Sequence, residues 1–276
     1  MQREDFLAAY DTLLARWPGP TEDLDLDSEF GSTRVHVSGA ADAPPVVLFH
    51  AYQATSAEWI ELARLLGGER RIYAVDVMGD AGHSVPGDRA IVTPDDMVGW
   101  IDTVLDGLGV EQAELVGHSY GAWIALTYGL QRPERVGKLT LLDPTMSFAP
   151  LLRSYVIRAI PSLLRPSSTR RLSLVRWESR GKSIDPEWLE VTAAAAGLEG
   201  PSRTVPTKIP SAATVASLKP PTVVIVAGAS RVHHVKRVGS NAAKRIQAGR
   251  VETIAGASHY GLPLTHAEQL ATVMLG

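Results

Sequence analysis

No cysteine occurs in the 276 residues, which excludes disulfides, a thiol nucleophile and thiolate metal sites. Aromatic residues make up only 6%, and charge of neither sign dominates: 27 Lys and Arg stand against 30 Asp and Glu, a formal net charge of −3. A general nucleic-acid binder needs a concentrated basic surface to neutralise phosphates, so that class is set aside. No run of about 18 apolar residues appears, and no membrane-spanning helix is expected. The N-terminal MQREDFLAAYDTLLARW mixes both charges with apolar residues at helical spacing and lacks the unbroken apolar stretch of a signal peptide. The chain therefore reads as soluble, most simply cytoplasmic, and as acting on a small molecule and not on nucleic acid or membrane. What is present is 45% hydrophobic and 21% charged residues, the balance of a globular protein with a large core.

Short apolar runs alternate with helical stretches: VVLF at 46–49, IYAV at 72–75, AELV at 113–116, KLTLL at 138–142, TVVIV at 222–226 and RVETI at 250–254. Runs apolar throughout suit strands buried on both faces of a parallel sheet. Three hydroxyl–carboxylate pairs, Thr55 with Glu58, Thr93 with Asp96 and Thr265 with Glu268, have the spacing that satisfies free amides at a helix start. Strand and helix in repeated alternation imply right-handed crossovers, hence an α/β fold with a mostly parallel central sheet flanked by helices.

One stretch breaks the rhythm. Between residues 146 and 218 no convincing strand is found, only short helical patterns punctuated by prolines, among them Pro150, Pro161, Pro186, Pro201 and Pro210. The expected organisation is a core of residues 1–145 and 219–276 with a helical lid (cap) at 146–218. Residues 145–218 hold ten Lys and Arg, Arg203 included, against five acids, Glu199 included, a balance of about +5 that leaves about −8 elsewhere. Such a surface is either merely solvated or attracts acidic substrates.

GHSYG at 117–121 lies directly after the AELV run and before the helical AWIALTYGL. A strand-to-helix turn this tight needs Gly117 and Gly121 to avoid side-chain clashes, and it holds Ser119 above the sheet at a helix N-terminus. A serine hydroxyl is almost wholly protonated at neutral pH and needs a base. His259, in GASHYG after the RVETI run, emerges on the same sheet edge. His118 points the wrong way if Ser119 is the apex, His50 closes a buried strand and reads as structural, and His233 and His234 follow TVVIV and stay open. Donors for a developing oxyanion are expected from the amides of Tyr52, in HAYQAT at 50–55, and of Tyr120.

HAYQAT, DVMGDAGHS at 76–84, GHSYG and GASHYG, in this order over residues 46–276, resemble the motifs of the α/β-hydrolase family. With the N-terminal helix, APPVVLFH and YAVDVMGDAGHS further resemble a bacterial carboxylesterase subgroup that hydrolyses carboxylic esters. The resemblance implies the α/β-hydrolase fold with the lid inserted after the sixth strand, Ser119 as nucleophile, His259 as base, and no metal or organic cofactor. Ala51 stands where a glycine is usual in the family, so the oxyanion loop is expected to follow its own course. The triad acid usually follows the seventh strand, where this chain has Arg231 or Ser230. A guanidinium beside His259 would oppose the imidazolium that must form. Asp143 in TLLDPT offers an acid from the end of the sixth strand, or else a turn residue before Pro144. Asp76 and Asp80 are expected to organise their own turn.

Three functions stay compatible with these residues: a serine hydrolase acting on an ester, a cofactor-free lyase, cyclase or rearrangement enzyme on the same scaffold, and a ligand-binding member without catalysis. Tyr52, Trp123, Phe148, Tyr155, Trp177, Trp188 and Tyr260 either line a pocket for an apolar or aromatic group or simply pack.

Overall fold

The computed structural model describes residues 3–198 and 204–276. Of the residues used above, Glu199, Pro201 and Arg203 lie outside the described ones. The strands are β1 (Thr21–Ser28), β2 (Gly31–Ser38), β3 (Pro45–Phe49), β4 (Arg71–Val75), β5 (Val85–Pro86), β6 (Ala113–His118), β7 (Val136–Leu142), β8 (Thr222–Ala227) and β9 (Gly249–Ile254). They lie in the order β1-β2-β4-β3-β6-β7-β8-β9, with the two-residue β5 beside β2. From β4 to β9 along this path every pairing is parallel. All six apolar runs fall in these strands, and KLTLL, the sixth strand in the numbering the resemblance implies, is β7 here because β5 is counted.

Continuous apolar runs arise because both faces are covered. Val47, Phe49, Leu115, Leu139, Leu141, Val224 and Val226 join Trp100 in one core layer. Their neighbours Val46, Leu48, Val116, Leu142, Val223 and Ile225 join Phe6, Tyr10 and Leu62 in the other. The hairpin β1–β2 is antiparallel and has no counterpart among the runs read from the sequence. Its outer strand, TEDLDLDS, carries four acids and sits exposed or half-buried at the sheet edge. Edge position tolerates that chemistry, but Asp disfavours strands intrinsically and hides the signal.

The helices are α1 (Arg3–Leu14), α2 (Ile60–Leu66), α3 (Pro94–Gly107), α4 (Tyr120–Gln131), α5 (Arg153–Leu164), α6 (Ser168–Glu178), α7 (Pro186–Ala195), α8 (Ala212–Ala216), α9 (Val235–Arg245), α10 (Gly261–Thr265) and α11 (Ala267–Leu275). Of the three expected helix starts, only Thr93 caps: its hydroxyl accepts from the Asp96 amide, and the Asp96 carboxylate accepts from the Thr93 amide. Thr55 makes no side-chain cap, because Glu58 is buried and turned inward to His118. Thr265 instead donates to the Gly261 carbonyl, and α11 starts only at Ala267.

Between β7 and β8 the described residues form helices α5–α8 and no strand, with a single bridge from Leu151 to His233. This segment is braced by α1 and the turn that follows it: Arg16 in that turn pairs with Asp185 at 2.7 Å and Glu187 at 3.2 Å, while Leu13 of α1 and Trp188 share one core layer. Among the described residues no helix is long and apolar enough to cross a membrane.

Candidate active site

The turn from β6 into α4 is as tight as GHSYG requires. A Cβ on Gly117 would lie 2.1 Å from the Gly121 carbonyl oxygen, and one on Gly121 only 2.0 Å from that of Phe49. Ser119 occupies the bend with φ +56° and ψ −108°, a region L-residues rarely adopt. Strain of this kind persists where surrounding structure fixes it, and two more examples sit at the same sheet edge, Gln53 with φ +56° and Asp143 with φ +39°.

Ser119 Oγ lies 2.9 Å from His259 Nε2, and His259 Nδ1 lies 2.6 Å from Asp143 Oδ2. All three residues are buried. Because a carboxylate only accepts, Nδ1 carries the proton, which leaves the Nε2 lone pair for the serine hydroxyl. Asp143 is thus not a simple turn residue: its Oδ1 accepts from the Ala227 amide at 2.9 Å, across the gap to β8. Burial alone would raise its pKa, but the charge of His233 and the hydrogen bond and charge of His259 outweigh that and hold it well below the usual carboxylate range.

The two residues at the usual acid position are elsewhere. Arg231 turns away from the imidazole, donating Nη1 to the Trp177 carbonyl at 2.8 Å and stacking its guanidinium 4.9 Å over the Trp177 ring. Ser230 Oγ accepts from the Val232 amide. Of the histidines left open, His234 is exposed and precedes α9. His233 is buried with Nε2 2.9 Å from Asp143 Oδ1, outside hydrogen-bonding alignment, so the contact is electrostatic. Burial opposes charging of His233, yet Asp143 raises its pKa. His50 is structural: Nδ1 faces the Ala51 carbonyl and Nε2 accepts from the Val77 amide.

The site roles of two buried carboxylates escaped sequence reasoning. Glu58 Oε1 lies 3.1 Å from His118 Nδ1 and accepts from the Ala51 amide. The His118 ring lies 4.7 Å from that of His259. Burial disfavours its charge and Glu58 overcomes this, raising its pKa. Desolvation first, and then the His118 charge, lower the pKa of His259 despite Asp143. Glu178, the last residue of α6, is fully buried and accepts from the amides of His259 at 2.9 Å, Arg231 at 3.1 Å and Tyr260 at 3.3 Å. Nothing local in WESR marks it, since its partners lie over fifty residues away.

In the HAYQAT loop the left-handed residue is Gln53, so Ala51 needs no glycine-like backbone. Asp80 Oδ2 accepts the Gln53 amide and Oδ1 that of Ala81. Asp76 binds Tyr10, Ser56 and His83, so both acids organise their turn as expected. Tyr52, in the HAYQAT loop, is half-buried, and Tyr120 opens α4, where first-turn amides have no helical acceptor.

The aromatic residues divide. Tyr155 and Tyr260 meet hydroxyl to hydroxyl at 3.1 Å next to His259. Trp123 stacks on Tyr120 and donates to the Lys208 carbonyl. Phe148 is core, Trp188 packs against Tyr260, and Trp177 supports Arg231.

Comparison with known proteins agrees with this architecture. A family model described as alpha/beta hydrolase fold matches residues 44–161. Carboxylesterase YbfK of Bacillus subtilis is 36% identical over 143 residues, 52% of this chain and 48% of that protein. A second B. subtilis protein, the uncharacterized carboxylesterase nap, is 33% identical over 145 residues, with the same shares. In these alignments the chain spans about half the length of the curated relatives it matches. The crystal structure of carboxylesterase CesB (YbfK) superposes with a TM-score of 0.92 at 25% identity, covering 99% of this chain and 96% of that one.

Proposed function

We propose that this chain, which shares the α/β-hydrolase fold, hydrolyses carboxylic esters through Ser119, His259 and Asp143. The observation that carries the reading is the unbroken line Ser119 Oγ, His259 Nε2, His259 Nδ1, Asp143 Oδ2, with hydrogen-bond separations of 2.9 and 2.6 Å. Ser119 attacks the ester carbonyl carbon while its proton passes to His259 Nε2. Asp143 holds the tautomer and stabilises the imidazolium. The tetrahedral oxyanion is met by the amides of Tyr52 and Tyr120. Collapse breaks the carbon–oxygen bond, and the departing alcohol takes the proton from His259. Water, deprotonated by the same nitrogen, then cleaves the acyl-serine, releasing the acid and restoring Ser119.

Residues 146–218 act in this reading as a lid over a core of 1–145 and 219–276, and a small substrate with an apolar or aromatic part would pack against Tyr52, Tyr155 and Tyr260. The loop at Arg231 gives no argument against hydrolysis, because Asp143 faces the imidazole that Arg231 turns away from. No step calls for a metal or organic cofactor. The test is turnover of 4-nitrophenyl acetate and butyrate: wild-type protein should release 4-nitrophenol and Ser119→Ala should not. Equal rates for the two proteins would reject the proposal.

A further inference from the structure

Helix α6 turns two ionisable side chains inward, Arg171 and Glu178, seven residues apart and therefore on one face. Glu178 is saturated by three amides, but Arg171 is not. Its side chain is buried, at 3% exposure for the residue, and its Nε has no hydrogen-bond partner. Nη1 donates to the Tyr260 hydroxyl at 3.3 Å, and Nη2 reaches the carbonyls of Tyr52 and Gln53 at 3.4 and 3.5 Å. These contacts are long against the 2.7–2.9 Å of a charge-assisted bond. Among the described residues no carboxylate forms an ion pair with it, so a full positive charge is held out of water with only neutral, distant acceptors. Such a charge is costly unless an anion completes it.

The place of that charge matters. Tyr52 supplies one proposed oxyanion amide and Tyr260 follows His259, so the guanidinium lies between the two loops that flank the reacting serine. The Tyr260 ring stacks beneath it at 5.1 Å, and the Tyr155 hydroxyl, 3.1 Å from that of Tyr260, adds a further donor. A planar fork of donors beside two phenols matches a carboxylate.

We propose that Arg171 is a specificity-determining residue that binds a carboxylate on the substrate, making the preferred substrate an ester that also carries a free acid. The excess of basic residues in the inserted helices draws such anions toward the site. This rests on the esterase reading above.

The test compares monoethyl adipate, an anion at pH 8, with neutral diethyl adipate. Wild-type protein should show kcat/KM at least about 10-fold higher for the monoester, and Arg171→Gln should reduce the ratio of the two kcat/KM values about 10- to 100-fold, the loss of a charge-assisted pair. Arg171→Lys should recover part of the ratio by retaining charge without the fork. No wild-type preference for the monoester, or a ratio unchanged in Arg171→Gln, overturns the proposal and leaves the esterase reading standing. Should Arg171→Gln fail to fold, inhibition of the wild type decides: adipate should inhibit at least about 10-fold more strongly than adipamide, and equal inhibition overturns the proposal. Turnover of neither adipate ester nor of the nitrophenyl esters removes the esterase reading, and this inference with it.

Discussion

At the strand ends, Ser119 and Asp143 are fixed by positive-φ backbone and by neighbouring strands: the Ser119 amide donates to the Leu142 carbonyl, and Asp143 accepts from the Ala227 amide. The inserted helix α6 instead reaches the site through two long side chains, Arg171 and Glu178, which touch loop backbone and a phenol and not the reacting atoms. Position at the sheet edge is thus set by tight turns and strand register, whereas the insertion acts through charge delivered to loops. An insertion of this kind can change its selectivity for substrate without moving the serine, histidine and aspartate.

Variants at the two places should separate in size. Asp143→Asn keeps the shape but loses the charge that orients His259, so kcat for 4-nitrophenyl butyrate should fall by about 10⁴, as in a comparable triad. A rate near wild type would remove Asp143 from the site. Glu178→Gln, which keeps one acceptor oxygen for three amides, should lower kcat about 10- to 100-fold with little change in KM, because the imidazole shifts while binding groups stay. A loss as large as that of Asp143→Asn would erase the distinction between strand ends and insertion.

That distinction was only half legible in the sequence. GHSYG and GASHYG disclose Ser119 and His259 because tight turns leave a local glycine signature. Asp143 remained balanced against a turn role, since one residue before a proline cannot say which strand lies beside it; pairing of β7 with β8 decides that. Arg231 looked like an obstacle because its position is local knowledge and its direction is not, the guanidinium being drawn to Trp177. Glu178 and Arg171 are tertiary features without local pattern, and the local pattern at Glu58 pointed to a helix start and not to His118. The hairpin β1–β2 was hidden by acidic composition that only an edge allows.

pH sharpens the contrast. Burial and the neighbouring His118 charge lower the pKa of His259, and the proposed mechanism needs it neutral. The acid limb of kcat/KM should therefore have its midpoint below about 6.5, the ordinary histidine value. A midpoint above 7 would contradict that environment. His36, far from the reacting atoms, behaves oppositely. Burial disfavours its charge, but the hydrogen bond to Asp23 and the negative charge of Asp76, 3.8 Å away, raise its pKa to about 9. Its folded-state value exceeds the unfolded one, so its contribution to stability is complete below about pH 6.5 and disappears as pH rises through 9. Urea unfolding at pH 6 and 9.5 should show this loss in wild type and a smaller one in His36→Gln, a difference of up to a few kcal/mol. Equal losses would show that other groups carry it.

The central claim is that Ser119 is a nucleophile activated by His259. A fluorophosphonate probe followed by peptide mass spectrometry tests it most directly, because the probe bonds only to an activated hydroxyl. One adduct per chain, on the peptide containing Ser119 and absent from His259→Gln, is the predicted result. An unlabelled chain, or an adduct on a different serine, would contradict the account.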